Sequence, residues 1–214
     1  MPSFKTKDSS RRRQAAFTLI ELLTVVVIIS LLFAFGSLAL RGALGGQKLA
    51  AAVGMLRHDI GWASIESSRL NLPVHLRFYK FVSEEADETE QARFHAYQFL
   101  VVDSKNSVMK PLDSVERFPE GIVLHPNSDF TSIASLGEKA PVLDGEIADP
   151  EIELPPYTYI EFQFQPDGST DLPADGKWSI TLVKSVQLTE DDSQLPKSYR
   201  SIVINPYTAA TRAY

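Results

Sequence analysis

A long apolar segment occupies residues 14–40, between a run of arginines at 11–13 and Arg41, and Glu21 is its one formally charged residue. A helix needs about 20 mostly apolar residues to cross the hydrocarbon core of a bilayer. The segment exceeds that length, so it predicts a membrane-spanning helix with residues left over for tilt. Basic residues mark the cytoplasmic end of such helices, so the rest of the chain is expected on the other side.

The helical pattern continues beyond the apolar segment. Seven residues recur at alternating spacings of four and three: Leu49, Val53, Leu56, Ile60, Ala63, Ser67 and Leu70. This spacing places them on one stripe of an amphipathic helix. We therefore predict one helix from 17 to about 70, with a transmembrane half at 17–41 and an amphipathic half at 42–72. Asn71 and Pro73 end it, because the residue before a proline disfavours the helical conformation.

After Pro73 the pattern changes to a period of two. Val74, Leu76 and Phe78 alternate with His75, Arg77 and Tyr79, which is typical of a half-buried strand. Further strands are predicted at 92–102, 121–124, 157–165, 177–187 and 199–205. A long helix followed by antiparallel strands is an α+β fold, so 73–214 is expected to form one β-rich globular domain.

Two acidic stretches interrupt the strand pattern. Residues 84–90 hold five acidic side chains and no base, which predicts a solvated hairpin loop. Residues from about 126 to 156 are also acidic, with Lys139 as the single base, and strand signals are sparse there. Loops of that length tend to be functional or disordered, so we expect a partner-specific surface in this segment.

Composition limits the available chemistry. The chain has no cysteine, which excludes disulfides, thiolate catalysis and cysteine-based zinc sites. Residues 1–16 hold five bases and one acid, so 17–214 carries 21 − 5 = 16 Lys and Arg against 27 − 1 = 26 Asp and Glu, a net charge of −10. Nucleic-acid affinity depends on Lys and Arg contacts to phosphates, so broad nucleic-acid binding is disfavoured, while a small basic patch stays open.

Motifs of enzymes and metal sites are missing from the sequence. The histidines are His58, His75, His95 and His125. They form no His-Glu-x-x-His motif, and the chain has neither a nucleophile elbow nor a P-loop. Asp167, Asp171 and Asp175 recur every four residues, but their spacing does not match an EF-hand loop, and calcium binding stays open. We expect a protein with no catalytic residue, no cofactor and no metal site.

Glu21 needs an explanation, because a charged side chain in a membrane helix costs about 2.5 to 3.5 kcal/mol at the centre and less near an end. Either Glu21 lies close enough to the lipid headgroups to be tolerated without a role, or it has a partner. Position and energy alone leave both interpretations open.

A basic leader and a small residue, followed by Phe-Thr-Leu-Ile-Glu-Leu at 17–22, resemble the amino-terminal signature of type IV pilins and of type II secretion pseudopilins. The resemblance implies that a prepilin peptidase removes leader 1–16 by cleavage between Ala16 and Phe17 and that Phe17 is N-methylated. It also implies that Glu21 pairs with the terminal amine of a neighbouring subunit. The family usually has Gly where this chain has Ala16.

A second resemblance lies near the end of the chain. Residues 162–169, Phe-Gln-Phe-Gln-Pro-Asp-Gly-Ser, and 203–208, Val-Ile-Asn-Pro-Tyr-Thr, look like the tail of H-type (FimT-like) minor pseudopilins, as does the helix end at 63–74. That family commonly ends in Asn-Pro-x-Thr-Gly-Arg, whereas 209–212 of this chain read Ala-Ala-Thr-Arg. The resemblance does not cover 83–156.

Together these resemblances imply a minor pseudopilin, a structural subunit of a periplasmic pseudopilus in a type II secretion or type IV pilus-like system. The implied partners are other pseudopilins or pilins, the prepilin peptidase, the inner-membrane assembly platform and the lipid bilayer. The implied location is the bacterial inner membrane, single-pass, with a cytoplasmic amino terminus and a periplasmic domain. Two alternatives stay open: a DNA-uptake minor pilin that binds DNA, and an uncleaved membrane-anchored periplasmic domain.

Overall fold

A computed structural model of the chain describes residues 18–83, 91–103, 108–142, 150, 152–189 and 191–214. Within the long helix, side chains are described at 18–33 and from Gly45 onward. The chain divides into two compact units, Met1–Ala43 and Leu44–Tyr214. The predicted acidic hairpin loop at 84–90 lies outside the described residues.

The predicted long helix is confirmed. Helix α1 spans Leu19–Leu70, close to the predicted limits. Asn71 follows it with φ of 53°, a left-handed conformation that asparagine adopts more readily than most residues. The Leu72 amide donates to the Ser67 carbonyl at 3.3 Å and so satisfies one of the last helical carbonyls. Asn71 therefore ends the helix by its own backbone geometry, in addition to the influence of Pro73.

The predicted amphipathic stripe is confirmed as the buried face of α1. Leu56, Ile60 and Ala63 are completely buried, and the other members of the stripe are buried or packed against the same core. Polar contacts add to this packing, because the Ser67 hydroxyl donates to the Gln165 carbonyl at 3.0 Å. The stripe therefore positions 49–70 on the sheet of the Leu44–Tyr214 unit.

Within the described residues, nine strands form one antiparallel sheet: β1 Val74–Phe81, β2 Arg93–Asp103, β3 Val108–Pro111, β4 Glu116–Arg117, β5 Ile122–Leu124, β6 Thr158–Phe164, β7 Trp178–Lys184, β8 Tyr199–Ile204 and β9 Thr211–Ala213. Their order is β6-β1-β2-β5-β7-β8-β9, with β3 and β4 also paired to β2. A helix packed with an antiparallel sheet confirms the α+β class. Strands β3, β4 and β9 were not predicted, because they show neither a clear alternation nor a run of apolar residues such as the one that marks β5.

The prediction that β1 is half-buried is wrong. His75, Arg77 and Tyr79, which alternate with the core residues, are buried as well. The second face of the sheet carries its own small cluster, in which the Tyr79 ring meets the Tyr157 ring edge-on at 5.2 Å and Leu154 packs against the cluster. The polar residues of β1 are therefore covered by chain that lies far away in the sequence.

A buried ion pair crosses this second face. Arg77 is 2% exposed, and its Nε donates to Glu161 Oε2 at 2.6 Å. The Tyr159 ring lies 4.0 Å from the Arg77 guanidinium carbon, and Lys139 Nζ donates to Glu161 Oε1 at 3.1 Å. His75 Nδ1 is 3.7 Å from Glu161 Oε2, too far for an ordinary hydrogen bond. Glu161 thus joins β6 to β1 through charge.

Burial acts to raise the pKa of Glu161, but the neighbouring His75 and Arg77 outweigh it and hold that pKa far below its ordinary value. The carboxylate is therefore ionised in the folded protein at any pH near neutrality. This matches its contacts with the Arg77 guanidinium and the Lys139 ammonium group, because nearby opposite charges favour the ionised form.

The segment predicted as a long acidic loop, about 126–156, is partly packed against the sheet. It contains a short 3-10 helix, Ser132–Leu136, with Ile133 buried in the main core. Lys139 forms an isolated β-bridge with Tyr159. Residues 143–149 and 151 lie outside the description, and the role of this segment as a partner-specific surface stays a prediction.

Candidate assembly site

The sequence predicts three functional residues at the start of the helix. Ala16 and Phe17, the expected cleavage and methylation positions, lie outside the described residues. Glu21 is described and exposed, in the first turn of α1. The geometry of the site is therefore that of Glu21 and the residues that it contacts.

Thr18 and Glu21 form a reciprocal pair at the helix start. The Thr18 backbone amide donates to Glu21 Oε2 at 2.9 Å, and the Thr18 hydroxyl donates to the same oxygen at 3.0 Å. The Glu21 amide in turn donates to Thr18 Oγ1 at 3.3 Å. This is a capping box, in which a threonine before the helix and a glutamate three residues later satisfy each other's amide groups.

The capping box gives Glu21 a partner within its own chain, which sequence reasoning missed. The signal was present in Thr-Leu-Ile-Glu at 18–21, because Ser or Thr followed three residues later by Glu marks a helix start. The positive end of the helix dipole favours a carboxylate at this position as well. Both bonds from Thr18 end on Oε2, and no donor among the described residues reaches Oε1.

The first turns of α1 expose apolar side chains in every direction. The exposed large residues in this part are Leu19, Ile20, Leu22, Leu23, Val25, Val26, Val27, Ile28, Ile29, Leu31, Leu32 and Phe33. Contiguous apolar surface of this extent is rare on proteins that stay monomeric in water, and it marks an interaction surface. Because the exposed residues lie on all sides, a single flat partner surface cannot cover them.

Polar side chains in the same turns are satisfied by their own helix. The Thr24 hydroxyl donates to the Ile20 carbonyl, and the Ser30 hydroxyl donates to the Val26 carbonyl, each at 2.8 Å. Such bonds to the carbonyl four residues earlier remove a side chain's need for water. Together with the capping box, they suit this helix to surroundings that supply no hydrogen bonds.

Within the part of the chain whose side chains the structure describes, no helix meets both the length and the apolar character that crossing a membrane requires.

The residues considered for metal chemistry are used elsewhere. Asp167 Oδ1 accepts hydrogen bonds from the Ser169 amide and hydroxyl, and Asp171 Oδ1 accepts the Gln163 amide at 2.7 Å. They act as turn and strand-end acceptors. Across the described ranges, no group of three or more His, Asp or Glu side chains could hold a metal ion.

Comparison with protein families gives one match. The family model described as the prokaryotic N-terminal methylation motif matches residues 11–37, which include Glu21 and the predicted cleavage position. No curated protein matches the chain, and no solved structure matches it. The chain therefore carries the amino-terminal methylation motif of type IV pilin-like proteins, which implies in general terms assembly with other pilins and processing by a prepilin peptidase.

Proposed function

We propose that this chain is a minor pseudopilin, a non-enzymatic structural subunit of a periplasmic pseudopilus in a type II secretion or type IV pilus-like system. Cleavage between Ala16 and Phe17 removes the basic leader, and Phe17 becomes the N-methylated first residue. The helix at 17–41 anchors the subunit in the inner membrane before assembly, and the β-rich domain lies in the periplasm.

One observation carries this proposal: the first turns of α1 expose apolar side chains on all sides, inside the segment that matches the methylation motif. Lipid can cover such a helix before assembly, and the helices of neighbouring subunits can cover it afterwards. Both surroundings are apolar, and the internal hydrogen bonds of Thr24 and Ser30 suit the helix to either one.

The capping box adds a reason for pairing between subunits. Thr18 occupies one oxygen of Glu21, and the other oxygen has no donor within the described residues. A cationic amine from a neighbouring subunit can bond to that oxygen without displacing the cap. Glu21 therefore serves two purposes in the proposed filament: it starts its own helix and sets the axial offset of its neighbour.

Cysteine labelling tests the anchored arrangement, because the natural chain has no cysteine and any label on it must come from the introduced residue. Ile28→Cys lies within the apolar turns, and Val186→Cys replaces a side chain that is 87% exposed in the β-rich unit. A membrane-impermeant maleimide added to spheroplasts of native cells should label Val186→Cys. It should label Ile28→Cys only after the cells are dissolved in denaturing detergent.

Two results would reject this arrangement. Labelling of Ile28→Cys at the rate of Val186→Cys in intact spheroplasts would mean that the apolar turns face water. Labelling of Val186→Cys only after the inner membrane is broken would place the β-rich domain in the cytoplasm.

A further inference from the structure

Among the described strands, β9 forms a free edge of the sheet. It lies last in the strand order and pairs with β8 on one side. Ser201 and Tyr214 exchange both backbone hydrogen bonds, at 3.2 and 2.9 Å. In antiparallel pairs such residues alternate with residues whose amide and carbonyl groups point away from the partner strand. Thr211 and Ala213 therefore direct their backbone groups outward, where another strand can bond to them.

An apolar groove flanks this edge on the helix side. Its volume is about 620 Å³, and its lining includes Trp62 and Ile65 of α1 and Thr211 of β9, with two polar residues of α1, Arg57 and His58. Ile65 is 71% exposed, and Trp62 is half-exposed with its ring edge-on to Phe99 at 5.7 Å. The groove thus offers fixed apolar surface beside the unpaired backbone.

A second cavity lies beside the same strand and is lined in part by Arg212 and Tyr214, whose side chains lie on the opposite face of the sheet from Thr211 because successive side chains alternate. Its volume is about 450 Å³, and its lining includes Lys177, Tyr207, Arg212 and Tyr214. Both tyrosines are mostly exposed. The two cationic side chains give this cavity a charge opposite to the net charge of −10 that residues 17–214 carry.

A strand that pairs with β9 would place alternate side chains in the two depressions, because successive side chains of a strand point to opposite faces. We propose that the free edge of β9 binds an extended segment of a partner protein in which apolar and acidic residues alternate. The apolar side chains enter the groove at Trp62 and Ile65, and the acidic side chains meet Lys177 and Arg212. The partner becomes an added strand of the sheet.

Charge selects this occupant over the alternatives. Pairing of β9 with β9 of a second copy, Thr211 opposite Ala213, would set the two Arg212 side chains directly opposite each other, and like charges there are destabilising. A nucleic acid would leave the outward backbone groups of Thr211 and Ala213 unpaired. Because β9 is short and carries the charged Arg212, its edge does not pair readily with any exposed strand of another protein. This inference does not depend on processing of the leader.

Two synthetic peptides probe the edge: a capped octapeptide of alternating Glu and Val, and a control of alternating Lys and Val. The full chain, ¹⁵N-labelled in detergent solution, is mixed with each, and amide hydrogen exchange is followed by NMR. The acidic peptide should slow exchange at Thr211 and Ala213 by about tenfold at saturation, as new hydrogen bonds form. Its binding should weaken with added salt.

Three variants sharpen the test. Arg212→Glu should abolish protection by the acidic peptide, whereas Lys110→Glu makes the same charge change on an exposed residue of β3 and should leave it unchanged. Ala213→Pro removes one outward amide without removing a bond to β8, and proline is tolerated at such edge positions. Ala213→Pro should also abolish binding of the acidic peptide.

Several results would overturn the proposal. One is amide exchange at Thr211 and Ala213 that the acidic peptide leaves unchanged. Another is protection of these amides by the basic peptide to the same extent, or by the acidic peptide in Arg212→Glu. Binding of a single-stranded oligonucleotide at Lys177 and Arg212 without that protection would assign the surface to nucleic acid. Self-association of the chain that Ala213→Pro abolishes would assign it to a second copy.

Discussion

Glu21→Ala is expected to abolish incorporation of the subunit into filaments while its insertion into the membrane continues. In the proposed filament the change leaves the amine of a neighbouring subunit buried without its counter-charge. Loss of one member of a buried pair lowers an association constant by about two orders of magnitude or more, because the remaining charge has no partner. The measurement is the amount of the subunit in purified filaments relative to the amount in membranes.

Two further variants separate the pairing role of Glu21 from its capping role. Glu21→Gln keeps a residue that can complete a capping box but removes the charge, so it should fail to assemble like Glu21→Ala. Thr18→Val removes the cap, worth about 1 kcal/mol, and keeps the carboxylate, so it should assemble nearly normally. Assembly of Glu21→Gln together with failure of Thr18→Val would show that the helix cap, not the charge, is what matters.

Glu161→Gln is expected to destabilise the β-rich unit by about 3 to 5 kcal/mol, because the buried Arg77 guanidinium would lose the carboxylate charge that its Nε contacts at 2.6 Å. Denaturant unfolding of the full chain measures this loss. The matched control is Glu120→Gln at the surface pair with Lys48, whose side chains are 87% and 47% exposed. The control should cost less than about 1 kcal/mol.

A double variant tests whether the loss of stability comes from breaking the Arg77–Glu161 ion pair. Replacing the pair by Arg77→Met with Glu161→Leu should recover most of the stability, since apolar residues of similar volume often replace a buried ion pair without loss. A loss in Glu161→Gln no larger than that of Glu120→Gln would contradict the buried charge pair as a source of stability.

The same pair predicts how stability depends on pH. The pKa of Glu161 is lower in the folded protein than in the unfolded chain. The carboxylate therefore adds to the free energy of unfolding above the unfolded pKa of about 4.3, and this addition is lost as pH falls below that value. For Asp113 the pH dependence of stability has the opposite sign. Burial raises its pKa to about 6, so the stability that its protonated form adds is lost as pH rises through 6. Acid unfolding below about pH 4 should therefore be less steep in Glu161→Gln than in the natural chain.

The helix and the fold class could be predicted because both depend on local periodicity. The stripe from Leu49 to Leu70 repeats at helical spacing over six turns, and each member is buried or packed on the core. Strands with clear alternation, such as β6, lie where the pattern places them. Long periodic elements carry enough repeats to be identified without knowledge of their neighbours.

The second face of the sheet could not be predicted, because its cover is distant in sequence. His75 and Arg77 alternate with apolar residues as solvent-facing side chains do, yet Glu161 and Tyr159 meet Arg77 from a strand more than 80 positions later. Alternation identifies which side chains share a face. It does not show whether another layer of chain covers that face.

The candidate site was predictable in part for the same reason. Glu21 was identified by the energetic anomaly of an acid in an apolar helix. It lies inside the segment 11–37 that matches the methylation motif, and its role in assembly stays a prediction. Its cap by Thr18 is local and could have been found from the sequence. The free edge at β9 could not, because it depends on where a three-residue strand joins the sheet.

Mass spectrometry of the amino terminus of the protein in native filaments is the most direct test of the proposed function. We predict a chain that begins at N-methylated Phe17 and lacks residues 1–16. Filaments built from the intact, unmethylated 214-residue chain would contradict the account.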